Sequence, residues 1–177
     1  MTMPTAERER IRSYLVSVAN RLTIPELVEK VRQDVRPLKD AAFAVPPARF
    51  SERPAPGEWS AAEVLGHVLE MNEWGAAAIE AVLDGRPVPP AVSDEVGAGP
   101  RSLPPSAAAF WEAFERRREA LLARVLRAAG TEHLDRKLRH PLFGDLSWRE
   151  WLLFMRVHDL DHLRQVQAIA RAFGAAL

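Results

Sequence analysis

Apolar side chains recur along this chain at intervals of three and four rather than two, the spacing of helices that bury one stripe. Leu27, Val31, Val35 and Leu38 predict a helix over about 23–42. Val64, Val68, Met71, Ala78 and Val82 predict a second over 60–84, and Phe110, Phe114, Leu121, Val125 and Ala128 a third over 104–129. Trp151, Met155, Ile169 and Phe173 predict a fourth over 147–174. Ahead of these, Ile11, Leu15 and Val18 mark an additional helix over 5–21. No run alternates with period two for long enough to propose a strand. The fold class expected is therefore all-α: a four-helix bundle with an extra N-terminal helix, one domain over 1–177 with residues 1–22 as an extension.

Start signals support these boundaries. Thr23-x-x-Glu26, Ser60-x-x-Glu63 and Ser147-x-x-Glu150 each match the capping box, in which side chain and backbone satisfy each other's first-turn donors. The third helix follows Pro104 and Pro105, residues that suit a first turn. Prolines and glycines gather over 44–57, 84–105 and 130–144. Connections this long often shape a pocket or a partner surface, so 44–59 and 85–103 are the expected pocket-lining segments.

The stripes of the second and fourth helices are interrupted by imidazoles. On the second the inward seam reads Ser60, Val64, His67, Met71, Trp74 and Ala78; on the fourth it reads Trp151, Met155, His158, His162 and Ile169. The i,i+4 pair His158 and His162 shares one helix face, one turn apart. A third imidazole, His67, from a facing helix would complete a three-His metal site with open coordination positions, the arrangement of catalytic zinc. Buried imidazoles that find no partner are costly, and an ion supplies one; a hydrogen-bonded cluster of core histidines is the alternative. His133 and His140 fall in the loop before the fourth helix and read as surface residues. HDLDH is not the zincin HExxH, because Asp159 replaces the general-base Glu, and the fourth helix lacks the Glu that a di-iron carboxylate bundle needs. Glu70, Asp161 and Gln165 lie within a turn of the proposed ligands and are candidates to orient them. Trp59 and Trp148 read as core or staple residues. Arg116, Arg117 and Arg118 read as a solvated face paired with Glu112, Glu115 and Glu119.

Composition narrows the chemistry. Among 177 residues, 24 basic and 24 acidic side chains cancel, so there is no net positive charge of the kind that nucleic-acid binders carry. Only Lys30, Lys39 and Lys137 are lysines. With no cysteine, disulfides, thiolate metal sites and a Cys nucleophile are excluded, and a thiol can come only from outside the chain. The opening MTMPTAERERIRSY carries charge where a signal peptide has its apolar run. No stretch of 18 apolar residues exists, so a cytoplasmic protein that does not span membranes is expected.

Residues 56–67, PGEWSAAEVLGH, resemble the P-x-x-W-S-x-x-E-x-L-x-H start of the second helix in the DinB/YfiT-like superfamily. Residues 140–150, HPLFGDLSWRE, and 158–165, HDLDHLRQ, resemble its fourth-helix start and its H-x-x-x-H-x-x-Q ending. The resemblance spans about 23–174 and leaves the N-terminal helix unexplained. It implies a four-helix bundle with a long crossover, frequently a homodimer, holding a divalent metal (usually zinc or nickel) on three histidines that map onto His67, His158 and His162. It further implies a metal-dependent enzyme acting on a small-molecule substrate. Relatives include S-transferases and isomerases that use bacillithiol, mycothiol or glutathione as an external thiol cosubstrate. A hydrolase, or a non-catalytic module stabilised by metal for binding or dimerisation, is the competing reading.

Overall fold

The computed structural model describes residues 4–33, 35–90, 100 and 102–175. In chain order it contains α1 (Thr5–Arg21), α2 (Ile24–Gln33), α3 (Arg36–Ala44), a short 3-10 turn (Pro47–Arg49), α4 (Ala61–Leu83), α5 (Ala107–Val125), β1 (Leu138–His140), β2 (Gly144–Leu146) and α6 (Trp148–Ala172). All three capping boxes form. Ser60 and Ser147 exchange hydrogen bonds with Glu63 and Glu150 at the starts of α4 and α6, and Thr23 does so with Glu26 at α2.

The structure corrects three of the sequence expectations. The helix expected over 23–42 is two helices. Pro37 stands in the first turn of α3; it has no N–H to give the carbonyl of Gln33, and its ring clashes with that carbonyl in a continuous helix. The helix expected from 104 begins at Ala107, because Ser106 accepts from the Ala109 N–H and caps it. A two-stranded antiparallel hairpin also forms where no strand was expected, pairing Leu138 with Leu146 and His140 with Gly144. Three-residue strands are too short to show a period.

Buried apolar side chains form two clusters, and the helices traverse them in opposite senses. One gathers Ala76–Leu83 of α4, Leu121–Val125 of α5 and Trp148–Met155 of α6 with α1 and α2. The other gathers Ala61–Val68 of α4, Phe110–Phe114 of α5 and Val166–Ala170 of α6 with α3. Hence α4 and α5 run parallel, while α6 and the α2–α3 leg run antiparallel to them, and α4 ends at the opposite end of the bundle from where α5 begins. Each fully buried Leu, Phe or Trp contributes about 1.5–3 kcal/mol of burial. Between the clusters α4, α5 and α6 each pass through a more polar stretch; His158 and His162 lie in that of α6, and His67 lies just before that of α4.

The N-terminal helix is held by a residue outside the sequence expectations. Arg149, in the first turn of α6 and 8% exposed, donates to the Ala19 carbonyl from Nε (3.0 Å) and Nη2 (2.7 Å), to the Leu22 carbonyl, and to the Gly130 carbonyl (3.0 Å). Orphan carbonyls at the end of α1 thereby find donors. Among the described residues no helix is long and apolar enough to cross a membrane.

Candidate metal centre

The α4 capping box sets the start of the helix that carries His67, and the equivalent box at Ser147 sets α6, which carries His158 and His162. Because α4 and α6 pack antiparallel, the three rings meet. The Nε2 atoms of His67 and His158 are 3.1 Å apart, as are those of His158 and His162. Their ring centroids lie 4.4–5.0 Å apart. All three donor atoms fall within 4.8 Å of one another, and among the described residues they form the one group of three or more His, Asp or Glu ligand atoms that converge in this way.

Three observations test whether a divalent ion suits this set. Two nitrogens held at about 2.0–2.1 Å from one ion at the tetrahedral angle are about 3.3 Å apart, close to the separations found here. A ring nitrogen carries either one proton or one in-plane lone pair, so His158 Nε2 cannot make good hydrogen bonds to both neighbours at once, whereas one ion satisfies all three. Burial also keeps two of the rings, His67 and His162, neutral. The His67 pKa is pushed down to about 4, first by burial and then by His158. That of His162 is pushed down to about 3 by burial and then His158. Neutral imidazole is the form that ligates.

Neighbouring groups fix the rings. His162 Nδ1–H donates to Gln165 Oε1 at 3.0 Å, which leaves the Nε2 lone pair for a ligand. Trp59 stands edge-on to His67 with centroids 5.9 Å apart. A Cβ on Gly66 would lie 2.7 Å from the Ser102 carbonyl oxygen and 2.9 Å from Pro100 Cγ, so the connection after α4 returns to lie directly on the helix beside His67. Of the expected pocket-lining segments, Trp59, Pro100 and Ser102 thus approach the site, while 91–99 and 101 lie outside the described residues. Asp161 is exposed and Glu70 half-buried, and neither joins the ligand group.

Two polar features depart from the sequence expectations. His133 is exposed as expected, but His140 is buried. Its Nδ1 accepts from the Leu142 N–H (3.0 Å) and the Phe143 N–H (3.2 Å), closing the hairpin. Its ring stacks on Phe143 and meets Phe154 edge-on. Burial, then His158, pushes its pKa down to about 4. The arginine run is not uniformly solvated either. Arg116 is exposed beside Glu112, and Arg117 bridges Glu73 and Glu80. Arg118 is 2% exposed, donating to Asn72 Oδ1 at 2.8 Å and Asp159 Oδ2 at 2.9 Å. The signal was present in the spacing: Arg118 continues the Phe110–Phe114 stripe, Asp159 follows Met155 by four, and Asn72 follows Val68 by four. Polar residues at such positions are buried by the helix period itself.

Comparison with known proteins bears on the fold and the family. A Bacillus subtilis (strain 168) protein, YuaE, is 25% identical, with 68% of this chain and 83% of that one covered. The fold resembles the crystal structure of TT2238, a four-helix bundle protein, with a TM-score of 0.59, 23% identity, and coverage of 82% of this chain and 99% of that one. The DinB superfamily pattern matches residues 27–166, a span that runs from the first leg of the bundle to beyond the third histidine, and the chain belongs to the DinB superfamily.

Proposed function

We propose that this chain is a metal-dependent enzyme that binds one divalent ion, zinc or nickel, through His67, His158 and His162, and that it transfers an external low-molecular-weight thiol to an electrophile. The observation that carries the reading is the convergence of three imidazoles, with no fourth His, Asp or Glu ligand atom joining them among the described residues. A structural site is closed by four protein ligands, whereas three leave a position for water or substrate. That difference favours the enzyme over a metal-stabilised binding module.

When bound, the ion would supply Lewis acidity and stabilise an external thiolate, or in a hydrolytic variant a hydroxide. The chain's own part is to present three lone pairs at one point. Gln165 sets the tautomer of His162, burial holds His67 and His162 unprotonated at neutral pH, and Trp59 covers one edge of His67. Three neutral ligands leave the charge of a divalent ion uncancelled, which attracts an anionic fourth ligand. The chain has no cysteine to provide one as sulfur.

Tag-free protein purified without chelator is expected to carry about one equivalent of metal by mass spectrometry, and His158→Ala to lose it. A metal-free wild type after incubation with zinc and nickel, or a His158→Ala variant that retains stoichiometric metal, overturns the site. Transferase activity is read separately, as consumption of glutathione, mycothiol or bacillithiol with alkylating electrophiles. A loaded protein inert to all of these overturns the thiol-transfer assignment and leaves the ligands standing.

A further inference from the structure

We infer that Arg118, Asn72 and Asp159 form a positioning device that holds His158 and the α4–α6 spacing for the ion, an inference that rests on the metal reading above. The residues come from three different helices and meet in one place. Asn72 is on α4, five residues after His67; Asp159 is on α6, directly after His158; Arg118 is on α5, which supplies none of the three ligands. Together with His158 they border one small space closed by Met71, Phe154 and Met155.

The network is almost completely dry. The Arg118 and Asp159 side chains are each 3% exposed, and Asn72 is 2% exposed. Arg118 Nε donates to Asn72 Oδ1 and Nη2 to Asp159 Oδ2, while Asn72 Nδ2 donates to the Phe114 carbonyl at 3.3 Å. The guanidinium also lies over the Phe114 ring, 4.7 Å from its centroid. One donor, Arg118 Nη1, is buried without a hydrogen-bond partner. A buried ion pair of this kind is a poor device for stability, since an apolar pair of equal volume does as well or better. Its position next to the ligands supplies a different reason for it.

A histidine that ligates through Nε2 carries its proton on Nδ1, and such ligands are oriented by a carboxylate or carbonyl at that nitrogen. Asp159 Oδ1 lies 4.0 Å from His158 Nδ1, while its Oδ2 is committed to Arg118. The negative charge of Asp159 therefore faces the side of His158 that becomes the proton-bearing side, and Arg118 fixes where that charge stands. By gripping Asn72 with the same guanidinium, Arg118 also ties the helix of His67 to the helix of His158. The separation of their Nε2 atoms is thus set by a third helix that contributes no ligand. Arg118 and Asp159 are positioning residues in this sense, acting through His158.

The test titrates the full chain with cobalt(II) and zinc, reading affinity by competition with a chromophoric chelator and geometry by the visible absorption of the cobalt form. Asp159→Asn keeps the shape and an acceptor for Arg118. The double variant Arg118→Met with Asp159→Leu replaces the pair by apolar groups and guards against a variant that fails to fold. Both are expected to unfold cooperatively, bind each metal about 10–100-fold more weakly, and shift the cobalt band. Thr23→Ala, which removes the cap of α2, a helix that carries none of the ligands, is expected to lower stability while leaving affinity and band unchanged. A folded Asp159→Asn or double variant with wild-type affinity and an unchanged band overturns the positioning role while the metal site stands. A wild type that binds neither metal overturns the metal reading and this inference with it.

Discussion

Protonation of His140 should unlatch the β1–β2 hairpin and lower the stability of the protein in mild acid. The Nδ1 atom accepts two backbone N–H groups, so the neutral ring must carry its proton on Nε2. A second proton would turn the acceptor into a donor facing two donors, inside an aromatic pocket of Phe143, Trp151 and Phe154. The folded pKa is pushed down to about 4, by burial first and then by His158, from an ordinary value of 6.5. Between those values the unfolded chain binds the proton and the native state does not, so stability rises with pH through this window. The native advantage is whole above the unfolded pKa and shrinks as pH falls toward 4. Linkage over that interval removes about 2 kcal/mol by pH 5 and about 3 kcal/mol below pH 4. Urea unfolding of chelator-treated wild type and His140→Gln at pH 7.5, 6 and 5 isolates this contribution. The glutamine does not titrate, so the wild type should lose about 2 kcal/mol more than the variant between pH 7.5 and 5. Parallel pH dependences in the two proteins would refute the assignment of a proton-free, hairpin-closing Nδ1.

Two further predictions concern how the scaffold holds the site. Arg149→Met strands the carbonyls of Ala19, Leu22 and Gly130. It should cost about 3 kcal/mol and expose the end of α1 to protease near residue 21, and an unchanged cleavage rate would argue against the clamp. Gly66→Ala drives a methyl toward the Ser102 carbonyl; a loss of about 1–3 kcal/mol is expected, read as a lower melting temperature, and full wild-type stability would contradict the close approach.

Much of the architecture was legible from periodicity and caps alone. The Ser60 and Ser147 boxes delimit α4 and α6 as expected because capping is local chemistry, decided within four residues. The split between α2 and α3 was written in Pro37, whose missing N–H and ring clash outweigh a continuous apolar stripe. The three histidines were selected by helical spacing because His67, His158 and His162 lie on inward stripes. That same logic, carried through, would have placed Arg118, Asn72 and Asp159 inside as well. Charge alone suggested a solvated surface for Arg118, yet its position four residues after Phe114 dictated burial.

Tertiary structure decided what spacing cannot. The i,i+4 relation puts His158 and His162 on one face, but the 3.1 Å approach of His67 to His158 depends on how far α4 and α6 slide along each other. That offset is set by side chains remote in sequence, among them Arg118, which reaches Asn72 and Asp159 from a third helix. The fate of His140 was likewise undecided by its place in a loop: a three-residue hairpin has no periodic signature, and only the packing of Phe143, Trp151 and Phe154 around the ring makes it an interior acceptor. Arg149 looks like any first-turn arginine until α1 presents its carbonyls to it. The sequence by itself determined helices, caps and the faces that must be buried, because those follow from neighbours a turn apart. Which polar groups would meet on the buried faces, and at what distance, was decided by helix packing, where groups remote in sequence share one low-dielectric space.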